Sequence, residues 1–176
     1  MGEFARATCD AAPSRASSRR MGPSSHSGRT GSHAGTSSLS RLGIGTALGD
    51  PSDDQDLAYD RAIRRAIELG VTHIDTAINY RCQRSERVIG RALREMGSDV
   101  PPLTITTKGG YLPLEAPLPA TREEYRAYGK REDFDTEIVG AAELVAGGHC
   151  IAPRFLRDQI ERSIANLGVG TTSIYS

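Results

Sequence analysis

The chain has 176 residues, with 22 basic and 22 acidic side chains and no formal net charge. That length allows one domain with its own core, and the neutral balance leaves no electrostatic case for nucleic acid or an anionic membrane as partner. Cys9, Cys82 and Cys150 lack the paired spacing of a disulfide framework or a zinc knuckle, and no apolar run reaches membrane-spanning length or forms a secretory signal.

No Leu, Ile or Val precedes Leu39. Residues 1–38, mostly Ser, Gly, Arg, Ala and Thr, hold too little apolar area to offset the entropy of ordering them, and they are expected to form a disordered leader. Their Arg- and Ser-rich, acid-poor composition resembles an organelle transit peptide, but a leader without a targeting role and a cytoplasmic protein is the preferred reading. From residue 39 the pattern becomes regular. Leu42-Gly43-Ile44-Gly45-Thr46 predicts a first strand. Pro51-Ser52-Asp53 opens a helix with Tyr59, Ile63, Ala66 and Ile67 on one face, closed at Gly70. Val71–Asp75 predicts a second strand. The next helix has Ser85 near its cap, Val88, Ile89, Ala92, Leu93 and Met96 on one face, and Gly97 at its end.

Leu103–Thr107, rich in β-branched residues, predicts a third strand. Residues 109–152, with Pro113, Pro117 and Pro119 and the charged run Arg122-Glu123-Glu124-Tyr125, read as a long loop insertion on the side where barrel enzymes build substrate pockets. Pro153 suits the first turn of a helix striped by Leu156, Ile160, Ile164 and Leu167 and closed at Gly168. Thr172–Tyr175 begins a fourth strand. The junctions Glu68-Leu69-Gly70-Val71 and Asn166-Leu167-Gly168-Val169 repeat the same helix-to-strand device. Alternating strand and helix argue for parallel strands with helical crossovers. About four such units are present, where a complete (β/α)8 barrel takes about 250 residues. The expected fold is α/β, the first half of a TIM barrel.

Two weaker patterns are present in the sequence. Gly43-Ile44-Gly45 with Gly49 imitates a dinucleotide phosphate loop, but such a loop opens directly into a helix, and here Asp50-Pro51-Ser52-Asp53-Asp54 puts negative charge where a pyrophosphate would sit. His149-Cys150 with Cys82 is a poor match to metal-ligand spacing, so free thiols and no metal are expected.

The chemistry concentrates in Asp75, at the end of the second strand, Tyr80, just beyond it, and Lys108, at the end of the third. A phenol with an ordinary pKa of about 10 serves as an acid near neutrality only if a neighbour favours the phenolate. A lysine does so, and an aspartate keeps that lysine charged and in place. Ile74-Asp75-Thr76-Ala77 with Asn79-Tyr80, Ser85-Glu86, Ile89-Gly90, Ala92-Leu93, Thr107-Lys108, and Leu156 with Ser163 and Leu167-Gly168 together resemble the aldo-keto reductases.

That resemblance implies a (β/α)8 barrel reducing aldehydes and ketones with NADPH, with a small-molecule carbonyl as substrate. It makes Tyr80 the general acid, Lys108 its tuning cation and Asp75 the partner of Lys108, with Gly45, Thr46 and Asp75 near the cofactor. Ala47 stands where many relatives carry an aromatic. The family's catalytic histidine follows the start of the fourth strand, and none of His26, His33, His73 or His149 matches it by position, His73 being read as a packed strand residue. The expectation is therefore a half-barrel, inactive by itself and prone to self-association through unpaired strands. The alternative is a non-catalytic half-barrel acting only as a binding or interaction module.

Overall fold

The computed structural model describes residues 39–131, 138–146, 148–169 and 174–176. The leader expected over residues 1–38 lies outside them. The element order is β1 (Ile44–Gly45), α1 (Asp53–Glu68), β2 (His73–Asp75), α2 (Arg84–Met96), β3 (Thr104–Thr107), α3 (Arg122–Gly129), α4 (Pro153–Leu167) and β4 (Ile174–Tyr175). All four strands are parallel and stand in chain order β1-β2-β3-β4. Each strand end is thereby carried to the same edge of the sheet, as the alternating pattern predicts.

The register divides the sheet into two faces. Ile44, Ile74 and Ile105 lie side by side across β1, β2 and β3. With Ile63 and Ile67 of α1, Val88, Ile89 and Ala92 of α2, and Leu167 of α4, they form the main core. One residue further along, Gly45, Asp75, Thr106 and Ile174 form a row on the opposite face. Within this row Ile174 is 47% exposed. His73 occupies the inner face too, its Nε2 3.1 Å from Thr106 Oγ1, as a packed strand residue.

Helix ends follow local chemistry. Ser52 caps α1, its hydroxyl accepting from the Gln55 amide, and Asp53, Asp54 and Asp56 complement the positive end of the helix dipole. Gly70 and Gly168, the repeated junction glycines, both have positive φ, at +87° and +66°. A left-handed residue there turns the chain back into the sheet. The strands are shorter than their apolar runs: Leu42 is exposed outside β1, and Thr172 and Ser173 lie outside the described residues.

Two expectations are corrected and one is refined. Ser85 stands near the cap of α2, as expected, but is not the cap itself. The cap position is Gln83, left-handed and without a side-chain bond, and Ser85 Oγ instead donates to the Thr46 carbonyl at 2.7 Å. The buried side of α4 is Phe155, Gln159, Ser163 and Leu167, so Leu156, Ile160 and Ile164 are only half-buried. The helix turns a polar residue inward because Gln159 serves the loop after β3, accepting from the Gly110 amide at 2.6 Å and donating to the Tyr111 carbonyl at 2.5 Å. The insertion is also more than loop. It holds α3, opened by a capping box in which Thr121 and Glu124 bond each other's backbone amides, and a small second core of Leu112, Val139, Cys150 and Phe155. Thr121-x-x-Glu124 was the overlooked signal.

The α2–α4 contact is close at Gly90, where a Cβ would stand 2.5 Å from the Asn166 carbonyl oxygen and 2.6 Å from that of Leu167. Backbone atoms cannot retreat as a flexible side chain can. Gly90→Ala is expected to destabilise the fold by about 1–3 kcal/mol, the usual cost of overpacking, read as a lower denaturant midpoint at unchanged slope. At the β4 end, the Tyr175 hydroxyl is buried without a hydrogen-bond partner among the described residues. Burial, then the nearby carboxylates Glu86 and Asp158, push its pKa up to about 12. A phenol held protonated in the folded state favours folding below its ordinary pKa of about 10 and loses that contribution as pH rises from there towards 12. Alkaline denaturation should therefore show a stability loss in this window that Tyr175→Phe reduces.

Candidate active site

The site is built at the C-terminal ends of β2 and β3, where parallel strands leave their loops free to carry chemistry. Backbone bonds continue the sheet past its formal ends. The Thr76 amide donates to the Thr106 carbonyl at 2.8 Å and the Ile78 amide to the Lys108 carbonyl at 3.2 Å. This brings Asp75, at the end of β2, against Lys108, just past β3. Lys108 Nζ donates to Asp75 Oδ1 and Oδ2 at 2.9 and 2.8 Å and to the Thr76 carbonyl at 2.7 Å. Its three donors are thus used. The same ammonium stands 5.1 Å from the centre of the Tyr80 ring.

Asp75 and Lys108 retain 41% and 33% of their side-chain exposure, so the ion pair contributes roughly 0–1 kcal/mol to stability. Its effect is geometric: it fixes the ammonium beside the phenol ring. Tyr80 is itself half-buried, its amide donating to the Ala77 carbonyl at 3.1 Å in a turn. The structure therefore brings Asp75, Tyr80 and Lys108 together.

Gly45 and Thr46 differ from each other. Gly45 is exposed beside Asp75, and a Cβ there would meet nothing within 4 Å. Thr46 is 1% exposed, its amide donating to the Asp75 carbonyl and its hydroxyl to Thr76 Oγ1 at 2.9 Å. Its side chain ties β1 to β2 and does not reach the open face.

Beneath the site is a buried polar layer. Glu86 is fully buried, accepting from Thr107 Oγ1 at 2.6 Å and from Asn166 Nδ2 at 3.0 Å. It joins α2, β3 and α4 directly under the strand ends. Asn166 also donates to Gln83 Oε1, and Gln83 Nε2 donates to Glu115 of the insertion at 2.8 Å. Arg87 pairs with Glu115 as well, and that hydrogen bond is the leading cause of its raised pKa.

Sequence reasoning missed the turn that carries Tyr80 into α2. Arg81, Cys82 and Gln83 are consecutive left-handed residues, with φ of 49°, 56° and 65°. Each non-glycine residue there costs roughly 1–2 kcal/mol. Arg81, fully buried, answers that cost from the side: its guanidinium binds the Asp50 carbonyl twice, at 3.1 and 3.0 Å, and Asp56 Oδ1 at 2.5 Å. The Tyr59 ring covers it at 4.9 Å. Breaking such a buried pair costs about 3–5 kcal/mol. No glycine or asparagine marks this turn, so nothing in residues 81–83 signals it.

Two surface hollows, one lined by Arg64, Glu95 and Met96 and the other by Pro153, Arg157 and Glu161, do not include these residues. Cys82 and Cys150 are buried and form no disulfide among the described residues. Among the described residues no helix is long and apolar enough to cross a membrane.

Comparison with known proteins places this arrangement. The model of the aldo/keto reductase family matches residues 41–176. Among solved structures, the holo form of an aldo-keto reductase from Bacillus halodurans aligns with 78% of this chain and 35% of its own, at 19% identity and a TM-score of 0.51. Glycerol dehydrogenase from Gluconobacter oxydans aligns over the same shares, 78% and 35%, at 25% identity and a TM-score of 0.50. An aldo-keto reductase from Klebsiella pneumoniae, solved in complex with NADPH, aligns over 78% and 34% at 19% identity and a TM-score of 0.47. No curated protein matches the sequence. The chain spans about a third of the length of these solved structures. With four parallel strands in chain order, helices on their outer face and the family model matching all but the first 40 residues, the chain belongs to the aldo/keto reductase family and forms part of its TIM barrel.

Proposed function

We propose that the protein belongs to an NADPH-dependent carbonyl reductase and that Asp75, Tyr80 and Lys108 are its catalytic residues. The observation that carries this reading is the Lys108 ammonium, gripped by both Asp75 oxygens and the Thr76 carbonyl and standing 5.1 Å from the Tyr80 ring centre. NADPH, when bound, supplies the hydride that reduces an aldehyde or ketone.

The chain's own residues manage the proton. Tyr80 donates its phenolic proton to the carbonyl oxygen as negative charge grows there. Lys108 stabilises the charge left on the phenol oxygen, an electrostatic effect that grows as the reaction proceeds and so lowers the barrier and not merely the binding energy. Asp75 keeps the ammonium in place. It also borders the cofactor side of the site with Gly45, whose exposed backbone, open above its Cα, suits the approach of a flat ring. Thr46 serves that side by tying β1 to β2. Glu115 of the insertion, bonded to Gln83 and Arg87 of the turn and α2, is assigned to the substrate side.

The 176 residues by themselves are proposed to be inactive. Hydride transfer is favoured in a water-excluded site, and Ile174 on the inner sheet face is 47% exposed. Self-association over that face and a cytoplasmic location are part of the same proposal.

In the protein with its barrel complete, Tyr80→Phe and Lys108→Met should each lower turnover of a simple aldehyde by about two orders of magnitude or more, followed by NADPH absorbance. Unchanged rates in both, with NADPH binding absent in a titration, would favour a binding module without chemistry.

A further inference from the structure

The turn after Tyr80 has no part in the chemistry proposed above, yet its residues are bonded to α1, the insertion and α4. Its three left-handed residues are anchored in three directions. Arg81 reaches the start of α1, binding Asp56 and the carbonyls of Asp50 and Ser52. Cys82 is fully buried. Gln83 donates to Glu115 of the insertion and accepts from Asn166 of α4. Tyr80 is bonded directly to the first of these residues, so the direction of its Cα–Cβ bond follows the path of the turn.

We propose that Arg81 is a positioning residue for Tyr80: its buried guanidinium, latched to Asp56 and the Asp50 carbonyl, holds the left-handed turn 81–83 and so sets where the phenol stands relative to Lys108. The inference rests on the reading of Tyr80 as general acid. It adds that the start of α1, remote in sequence, fixes the geometry of that acid. The latch is rigid because Asp56 is shared. Its second oxygen accepts from Arg84 Nε at 2.9 Å, and Arg84 also pairs with Asp53. Those hydrogen bonds, Asp56 first, raise the Arg84 pKa and keep it charged. Tyr59 completes the clamp, its ring over the Arg81 guanidinium and its hydroxyl donating to the Leu48 carbonyl at 2.8 Å.

The mechanism makes an unusual demand on substitutions. Arg81→Met removes the latch and leaves a side chain that resists the left-handed conformation. Arg81→Gly removes the latch as well, but glycine adopts that conformation without steric cost. If Arg81 acts through the turn, glycine should restore what methionine loses.

The test compares Arg81→Met, Arg81→Gly, Asp56→Asn and Tyr80→Phe in the full-length protein. Two readouts are followed: kcat and the KM for NADPH, and the nuclear Overhauser contact between the Tyr80 ring and the Lys108 ε-methylene. Arg81→Met should lower kcat by about tenfold or more, as a small misplacement of a reacting group does, with the KM for NADPH unchanged and the Tyr80–Lys108 contact weakened. Asp56→Asn should shift both in the same direction, and it decides the matter if the methionine variant fails to fold. Arg81→Gly should recover most of both. Full kcat and an intact contact in Arg81→Met and Asp56→Asn would overturn the proposal, as would a glycine variant no better than methionine. Turnover surviving Tyr80→Phe would sink the carbonyl-reductase reading instead, and the Tyr80–Lys108 contact in the Arg81 variants would still decide the positioning role.

Discussion

The alignment of Ile44, Ile74 and Ile105 across three parallel strands is the constraint on which the remaining geometry depends. Burying this row under α1 and α2 removes apolar surface from water, and only one register of the strands achieves it. Because side chains alternate along a strand, that register sends Gly45, Asp75 and Thr106 to the opposite face as a second row. A slip of one residue would bury Asp75 and expose Ile74. The position of the carboxylate that grips Lys108 is therefore fixed by hydrophobic packing on the far side of the sheet.

Polar contacts then refine what packing sets. Glu86, without exposed surface, joins β3 and α4 through Thr107 and Asn166. Ser85 and Thr46 stitch α2 to β1 and β1 to β2. None of these groups reaches the open face, but each removes a way for the strand ends to shift. Buried polar groups that are satisfied in this manner favour one arrangement over near alternatives, since any displacement strands a donor or acceptor away from water. Pre-set geometry of this kind is what a reaction depending on the placement of one phenol and one ammonium would need.

The insertion shows how a loop acquires structure. Thr121 and Glu124 form its capping box, Leu112, Val139 and Cys150 pack with Phe155 of α4, and Gln159 of α4 bonds Gly110 and Tyr111. Gln159 also accounts for the unexpected face of α4. An apolar stripe at helical spacing predicts the buried side only when the neighbouring surface is apolar. Here the neighbour is a loop with a free amide and a free carbonyl, so a glutamine is buried and Leu156, Ile160 and Ile164 are left on the flank.

The sequence by itself determined the alternation of strands and helices, the junction glycines Gly70 and Gly168, and the grouping of Asp75, Tyr80 and Lys108. These are local matters: a side-chain period, a backbone conformation only glycine adopts cheaply, and the spacing of residues from strand ends. Tertiary structure decided what depends on partners far along the chain. At the left-handed turn Arg81–Gln83, Arg81 is bonded to Asp56 and to the Asp50 carbonyl, 25 and 31 positions away in sequence. The burial of Thr46 and the inward face of α4 likewise follow from what packs beside them. Such choices balance local strain against contacts that only the folded chain brings together, and no window of sequence contains both sides of that balance.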